Sequence, residues 1–285
     1  MQKKSNTPYH LHIDADVSSL SLRLGEVWHY RDLIWLHTRK NFVVRYKQTI
    51  LGPVWLIINP LLSAIAYYIV FGRIAGMGTG GIPQLLFYIS GNAFWSFMSG
   101  VMLRCSATFS GNAYLFGKIY FPRLTIPLSN ILIHLIEFAI QLAITIVISF
   151  VYLARGIHAL YYTHLVGLIP LLLWAAMLGM GLGIILSGLT AKYRDLSILI
   201  GIGTRVWLFA SPVVYPLSQV HDSIILKIIR FNPAVAPLEL FRYVLYGVGE
   251  VTPGSVLYSL IFSAAVLIAG LLLFNRVERT FIDTI

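Results

Sequence analysis

The stretch RYKQTILGPVWLIINP, residues 45–60, changes from basic and polar to almost wholly apolar at its Gly52-Pro53 pair. Proline disfavours helical geometry at the residue before it, so this pair predicts a break between two helices. The apolar run that follows, residues 54–72, is long enough to cross about 30 Å of hydrocarbon as a helix. We therefore predict a basic surface helix that is joined by a hinge to a membrane-spanning helix.

The segment before the hinge, residues 21–52, is predicted to be an amphipathic helix in the membrane interface. Trp28, Trp35, Phe42 and Tyr46 recur at seven- and four-residue spacing, which places them on one side of a helix. The basic residues around this stripe are Arg23, Arg31, Lys40, Arg45 and Lys47. A basic, aromatic-edged helix is attracted to anionic lipid. Residues 1–20 carry no recognisable pattern, and we expect a flexible cytosolic tail there.

The composition favours an integral membrane protein over a soluble one. Of the 285 residues, 58% are hydrophobic and only 11% are charged, too few to cover the surface of a soluble domain of this size. The net charge of +10 has a topological explanation, because Lys and Arg accumulate on cytosolic loops. We expect membrane lipids as partners and no nucleic acid. The single Cys105 excludes an intrachain disulfide.

Apolar runs between residues 53 and 275 predict an all-α membrane domain with six transmembrane helices. They are expected at about 54–72, 83–103, 125–153, 163–189, 196–215 and 255–274. With the N-terminus inside, the segments assigned to the cytosol hold fifteen Lys and Arg and the outer segments hold five. This bias predicts that both termini are cytosolic, including a tail at 276–285.

The outer segment 216–250 is unusually apolar for a loop. It contains two apolar stretches that are too short to span a membrane and are bounded by proline. Such stretches are typical of re-entrant or surface-lying helices. A simple folded extracytoplasmic loop is the alternative.

The sequence shows no catalytic motif and no Cys/His cluster with metal-ligand spacing, so we expect neither a catalytic residue nor a metal site. The stretch GNAYLFGKI, residues 111–119, differs from a nucleotide-binding P-loop. It has five residues between its glycines, and Ile119 stands where Ser or Thr would bind magnesium. His134 with Glu137 is the nearest approach to an acid–base pair. A membrane-embedded glycosyl- or acyltransferase is therefore a weak alternative.

Three ionisable residues are predicted at membrane depth, His134 and Glu137 in the third span and Arg205 in the fifth. Charges in hydrocarbon usually face the bundle interior or a water-filled path. Glu137 and Arg205 could pair or contact a polar substrate, or Glu137 could lie near a membrane surface. In the fourth span, Gly179, Gly183 and Ser187 recur every four residues, which favours close helix packing within the chain.

Aromatic residues make up 13% of the chain, and several recur within the predicted spans. Aromatic side chains often lie at membrane interfaces, which is one interpretation. The other is a translocation pathway, because sugar rings present C–H faces that can slide over aromatic rings. The residues concerned are Tyr67, Phe94, Trp95, Phe97, Trp207, Phe209 and Tyr215.

Several long stretches together resemble a known family. They are YRDLIWLHTRKNFVVRYKQTILGPVWLIINPLL, GNAYLFGKIYFPRLTIPLS, LTAKYRDL, SPVVYP and NPAVAPLELFRYVLYG. In content and order they resemble the membrane subunits of ABC exporters for O-antigen and related lipid-linked polysaccharides, over most of residues 26–275. Teichoic-acid and capsule exporters are more distant relatives of that family.

The resemblance implies an ABC exporter permease in the bacterial inner membrane. Such permeases are homodimers that enclose a channel and work with two separate ATPase subunits, which bind the ATP and magnesium. The expected substrate is an undecaprenyl-linked polysaccharide, moved from cytosol to periplasm. The alternatives are an exporter of a drug or small lipid, and a secondary carrier.

The resemblance also implies roles for particular segments. Residues 111–121 would be the coupling helix that docks into the ATPase, and its contact residues would be Asn112, Tyr114, Leu115, Lys118 and Ile119. The helix before the hinge would form a gate, with Trp35, Arg45, Tyr46 and Lys47. The apolar segment 219–247 would supply a pair of re-entrant helices at the outer mouth.

Overall fold

A computed structural model describes residues 24–47, 49–116, 121–157, 162–193 and 195–282. All regular secondary structure within these ranges is helical. The predicted tail at 1–20 and the coupling residues Lys118 and Ile119 lie outside the described residues, so those predictions remain untested.

The α-helices follow one another with short connections. Their bounds are α1 Leu24–His29, α2 Arg31–Lys47, α3 Trp55–Tyr67, α4 Gln84–Ser106, α5 Thr108–Phe116, α6 Thr125–Ala154, α7 Leu168–Lys192, α8 Leu196–Phe209, α9 Ser223–Arg230, α10 Val235–Tyr246 and α11 Pro253–Ile282. A π-helical stretch, Tyr68–Ile74, extends α3. Short 3₁₀ turns cover Gly52–Val54, Tyr162–Gly167 and Leu217–Gln219.

The chain bends between α2 and α3 at the predicted hinge. Gly52 has φ +51°, a left-handed conformation that favours glycine, and Pro53 opens the 3₁₀ turn that leads into α3. The Thr49 hydroxyl donates a 3.0 Å hydrogen bond to the Tyr46 carbonyl at the end of α2. The helix predicted over 21–52 therefore ends at Lys47, and a turn at Tyr30 separates it into α1 and α2.

Within the described ranges, four helical segments are long and apolar enough to cross a membrane: Gly52–Ile74, Thr125–Ala154, Leu165–Lys192 and Pro253–Val277. They coincide with the first, third, fourth and sixth predicted spans. The second predicted span corresponds to α4, whose 23 residues extend about 35 Å but include many polar side chains. The fifth is shorter than predicted, because α8 ends at Phe209 after 14 residues, about 21 Å.

The centre of the bundle is α7, which packs most extensively against α4 and α11. A methyl group at Gly179 or Gly183 would lie 2.5–2.6 Å from backbone carbonyl oxygens of α4, and one at Gly181 would lie 2.7 Å from the backbone of α11. Glycine therefore permits the close approach on both sides of α7, as predicted for Gly179 and Gly183. The Trp174 indole donates a 3.1 Å hydrogen bond to the Ser263 hydroxyl of α11.

The two ends of the bundle carry different elements. At one end, α2 lies beside the start of α6, and α5 lies beside the end of α7. There the Thr190 hydroxyl of α7 donates a 2.6 Å hydrogen bond to the Ser106 carbonyl of α4. At the other end, α10 packs against the start of α4, where the Tyr246 hydroxyl donates to the Leu86 carbonyl at 3.2 Å. The last helix continues past residue 274 to Ile282, because charged residues end a hydrophobic span but do not end a helix.

We expect Gly183→Ala to destabilise the bundle by about 1–3 kcal/mol, because the added methyl would lie 2.6 Å from atoms of Met102 and Cys105. Gly203→Ala is the matched control, since nothing lies within 4 Å of that position. Thermal unfolding of the purified protein in detergent measures both. Equal melting temperatures for the two variants would contradict the close packing of α7 on α4.

Candidate functional site

One carboxylate joins α2 to α6. Glu137 of α6 forms an ion pair with Arg45 and accepts a 3.3 Å hydrogen bond from the Tyr46 hydroxyl, both at Oε1. Its other oxygen, Oε2, lies 3.0 Å from His134 Nδ1, one turn earlier in α6. The Glu137 side chain is only 12% exposed. Burial and the neighbouring carboxylate raise the pKa of Tyr46 to about 12, so its hydroxyl remains a donor at neutral pH.

The α2 helix lies along α6 and not across it. The buried Thr38 hydroxyl lies 3.4 Å from the Ser129 carbonyl, a separation of 91 residues. The Tyr46–Glu137 contact has the same separation of 91 residues. The two helices therefore advance in the same direction over these two turns.

The packed side of α2 differs from the stripe expected from spacing. Ile34, Thr38 and Asn41 turn towards the protein, and Thr38 is 1% exposed. Trp35 and Lys47 point away, and Trp35 is 60% exposed. Of the aromatic stripe, Tyr46 is buried, Phe42 is half-buried, and Trp28 and Trp35 are exposed, so the contact of this stripe with the membrane interface remains a prediction. Helical spacing sets angles between side chains but does not show which angle faces a neighbour.

A polar cavity of about 390 Å³ opens beside the Glu137 cluster, between α2, α3, α4 and α6. Its ionisable lining residues include Arg45, Arg104, His134 and Glu137, and its neutral polar ones are Asn59, Ser63, Asn92, Ser96, Ser99 and Gln141. Two buried polar atoms of this lining, His134 Nε2 and Gln141 Oε1, have no hydrogen-bond partner in the structure. The cavity thus offers unused hydrogen-bonding capacity to a polar ligand.

The structure does not bring Glu137 and Arg205 together. Glu137 is paired with Arg45, while Arg205 is on an exposed position of α8. The pairing considered for these two residues is therefore not formed, and the position of Arg205 at membrane depth remains a prediction. The true partner, Arg45, lies before the hinge, and residue spacing cannot show that α2 folds back along α6.

The aromatic residues of α4 belong to the core of the chain. Phe94 stacks on Phe241 with ring centroids 4.8 Å apart, and Trp95 meets Trp207 edge-on at 5.2 Å. Phe97, which is 2% exposed, packs near Phe138. These three residues are buried among aromatic neighbours of the same chain, and their assignment to a pathway remains a prediction. Trp207 is half-buried in the same contact.

The remaining predicted pathway residues lie on less buried positions. Phe209 is 54% exposed, and its ring lies 6.4 Å from that of Phe71. Tyr215 is half-buried and donates a 3.2 Å hydrogen bond to the Phe209 carbonyl. Tyr67 is half-buried beside Phe71 on α3. Their assignment to a pathway remains a prediction.

The proposed coupling segment begins as a helix, α5, that is kinked at Asn112. The Asn112 amide donates a 2.9 Å hydrogen bond to the Thr108 carbonyl. Tyr114 is 58% exposed, whereas Leu115 is half-buried. Of the predicted contact residues that the structure describes, Tyr114 is the most available to another protein.

A second buried charge cluster was missed from the sequence. Arg242 of α10 donates to Glu239 Oε1 at 2.7 Å and to the Val213 carbonyl at 3.0 Å, and its guanidinium lies 3.9 Å from the Phe87 ring centroid. Glu239 Oε2 accepts a 3.1 Å hydrogen bond from the backbone of Glu250. A Glu and an Arg three residues apart in an apolar helix could have indicated this pair, because buried charges need partners.

No group of three or more His, Cys, Asp or Glu side chains able to hold a metal ion occurs among the described residues. The long apolar helices, with a polar cavity between them, define an all-helical integral membrane protein over the part of the chain that the structure describes.

The chain belongs to the ABC-2 type transporter family, whose model matches residues 32–246, about three quarters of the sequence. The family assignment made from the sequence is thereby confirmed. Two relatives from Klebsiella pneumoniae, each named O-antigen export system permease protein RfbA, are 29% and 28% identical over 254 and 265 residues. Both alignments cover 88% of this chain and 94% of the relative. A protein of the same name from Myxococcus xanthus is 25% identical over 78% of this chain and 83% of its own length.

We expect Glu137→Gln to loosen α2, because the neutral amide loses the ion pair with Arg45. Arg45 is 44% exposed, so we expect an effect of about 1 kcal/mol, or roughly a fivefold rise in tryptic cleavage within α2. Glu250→Gln is the matched control, since Glu250 forms an exposed 3.7 Å pair with Arg230 far from α2. Cleavage of α2 at the wild-type rate in Glu137→Gln would show that the cluster does not hold the helix.

Proposed function

We propose that this chain is the transmembrane subunit of an ATP-driven exporter that moves a lipid-linked polysaccharide of O-antigen type from the cytosol to the periplasm. The observation that carries the proposal is the similarity, over 88% of the chain, to two proteins named as O-antigen export permeases. The polar cavity between long apolar helices is consistent with a glycan substrate, because sugar hydroxyls need hydrogen-bond partners inside a membrane protein.

The energy for transport would come from two copies of a separate ATPase subunit, which bind ATP and magnesium. This chain carries no P-loop, since its GNAYLFGKI stretch departs from that motif in spacing and at Ile119. We assign the ATPase contact to the segment 111–121, which begins within α5. The exposed Tyr114 supports this assignment, because exposed aromatic side chains are common anchors of protein interfaces.

We further propose six spans per subunit, two subunits around a channel, and both termini in the cytosol of the bacterial inner membrane. In this arrangement α4 and α8 are the second and fifth spans, in addition to the four long apolar segments. The helices α9 and α10 are re-entrant or surface-lying helices at the outer side. The exposed Ile224, Ile225 and Ile228 on α9 support contact with lipid or with another subunit. The excess of Lys and Arg in the segments assigned to the cytosol supports the orientation.

We do not propose a transferase activity. Of the pair that suggested it, Glu137 is engaged with Arg45 and Tyr46 of α2, and His134 contacts the other oxygen of Glu137. That arrangement gives both residues a role in positioning α2.

Depletion of this chain in its bacterial host tests the proposed function. We expect lipid-linked polysaccharide to disappear from the cell surface and to accumulate on the cytosolic side of the inner membrane. Antibody or lectin labelling of intact cells and of inside-out membrane vesicles measures both pools. A normal amount of surface polysaccharide in depleted cells would contradict the proposal and favour an exporter of a drug or small lipid.

Tyr114→Ala should reduce polysaccharide export while leaving the subunit in the membrane, because it removes an exposed aromatic contact with the ATPase. We expect at least a tenfold loss of ATPase retained in pull-down, the usual effect at an interface anchor. Tyr243→Ala provides the control, since Tyr243 is 45% exposed on α10 at the other end of the bundle. If the Tyr114→Ala variant retains as much ATPase as the wild type, Tyr114 is not part of the contact with the ATPase.

A further inference from the structure

The cavity beside Glu137 changes in chemical character along its length. Arg104 lies at the last turn of α4, and Asn92 lies 12 residues earlier on the same helix, about 18 Å away. Arg45 and Arg104 therefore mark one end, and the amide and hydroxyl side chains of Asn92, Ser96 and Ser63 line the part between α3 and α4. The volume of about 390 Å³ falls within the range of about 300–1,000 Å³ that is typical of small-molecule sites.

The charged end has an excess of positive charge. Its one carboxylate, Glu137, is already engaged by Arg45, Tyr46 and His134. Arg104 forms no ion pair with any described residue, although its side chain lines the cavity. Arg45 and Arg104 thus share this one carboxylate, and the net positive charge that remains favours an anion; phosphate is a preferred partner of arginine.

The interior of the cavity has unused polar groups that are independent of this charge. His134 and Gln141 are more than nine-tenths buried, and His134 Nε2 and Gln141 Oε1 lack hydrogen-bond partners. Both residues line the cavity. Leaving a buried polar atom without a partner costs about 1–3 kcal/mol, so a ligand that supplies hydroxyl groups would remove that cost.

We propose that this cavity binds a phosphate ester that carries hydroxyl groups, with the phosphate at Arg104 and the hydroxyls at the amide and hydroxyl side chains. Two molecules of this chemistry occur in a bacterial membrane: the sugar–phosphate end of a lipid-linked glycan and the headgroup of phosphatidylglycerol. The inference does not require the proposed export function, because a phospholipid could occupy the cavity in a transporter of any substrate.

Protection of an introduced thiol tests the site in the full-length protein. Ser63→Cys places a thiol in the cavity lining, whereas the native Cys105 is fully buried and should not react. The protein is purified, in the assembly isolated from membranes, in a polyoxyethylene detergent that contains neither sugar nor phosphate. Labelling by a maleimide is then followed with dioctanoyl phosphatidylglycerol, with a short-chain prenyl diphosphate sugar, or with dioctanoylglycerol, which lacks the phosphate.

We expect one or both phosphate esters to slow the labelling and dioctanoylglycerol to have no effect. Protection by the sugar lipid alone would assign the site to a transport substrate, and protection by phosphatidylglycerol alone would assign it to a membrane lipid. In the Ser63→Cys background, Arg104→Gln should raise the concentration for half-protection roughly tenfold or more. Arg205→Gln removes the same charge from an exposed position outside the cavity and should change nothing.

Absence of protection by either phosphate ester would overturn the inference. Equal protection by dioctanoylglycerol would also overturn it, because that result needs only an acyl chain. If Arg104→Gln disturbs folding, Arg104→Lys keeps the charge and should retain most of the protection. No part of this experiment measures transport, so its failure would leave the proposed export function standing.

Discussion

Close backbone contact along α7 is the constraint on which the bundle depends. Lipid tails are as apolar as leucine side chains, so helices in a membrane gain little by hiding hydrophobic surface from them. Helix association in a membrane therefore depends largely on close packing. In this protein, Gly179, Gly181 and Gly183 bring the α7 backbone close to both α4 and α11. With one side of α4 fixed in this way, its other side, with Asn92 and Ser96, is left to line the polar cavity.

The two buried charge clusters join parts of the chain that are distant in sequence. Glu137 connects the helix before the hinge to α6, and Arg242 connects α10 to the segment after α8 through the Val213 carbonyl. Asn232 adds to the second connection, because it bonds to Trp207, Ala210 and Ser211. In both places, a charged group that is costly to bury alone is satisfied in part by a partner from a distant part of the chain. These contacts position the elements at the two ends of the bundle.

The sequence predicted features that depend on neighbouring residues. The Gly52-Pro53 hinge, the starts of α6 and α8 and the close packing at Gly183 follow from backbone restrictions or from local patterns of apolar residues. It could not predict which side of a helix meets another helix. For that reason the partner of Glu137 and the burial of Trp95 were not foreseen. The early end of α8 at Phe209 was missed because the apolar residues that follow can continue a pattern without continuing a helix.

The equal spacing of the contacts between α2 and α6 has a mechanical consequence. A helix that is attached to its neighbour at Thr38 and again at Tyr46 cannot pivot about either point alone. A tilt of the first turns of α6 would carry α2 with it as a single stiff arm. The displacement would then reach the turn at Gly52, which is the point where α2 is joined to the first long apolar helix.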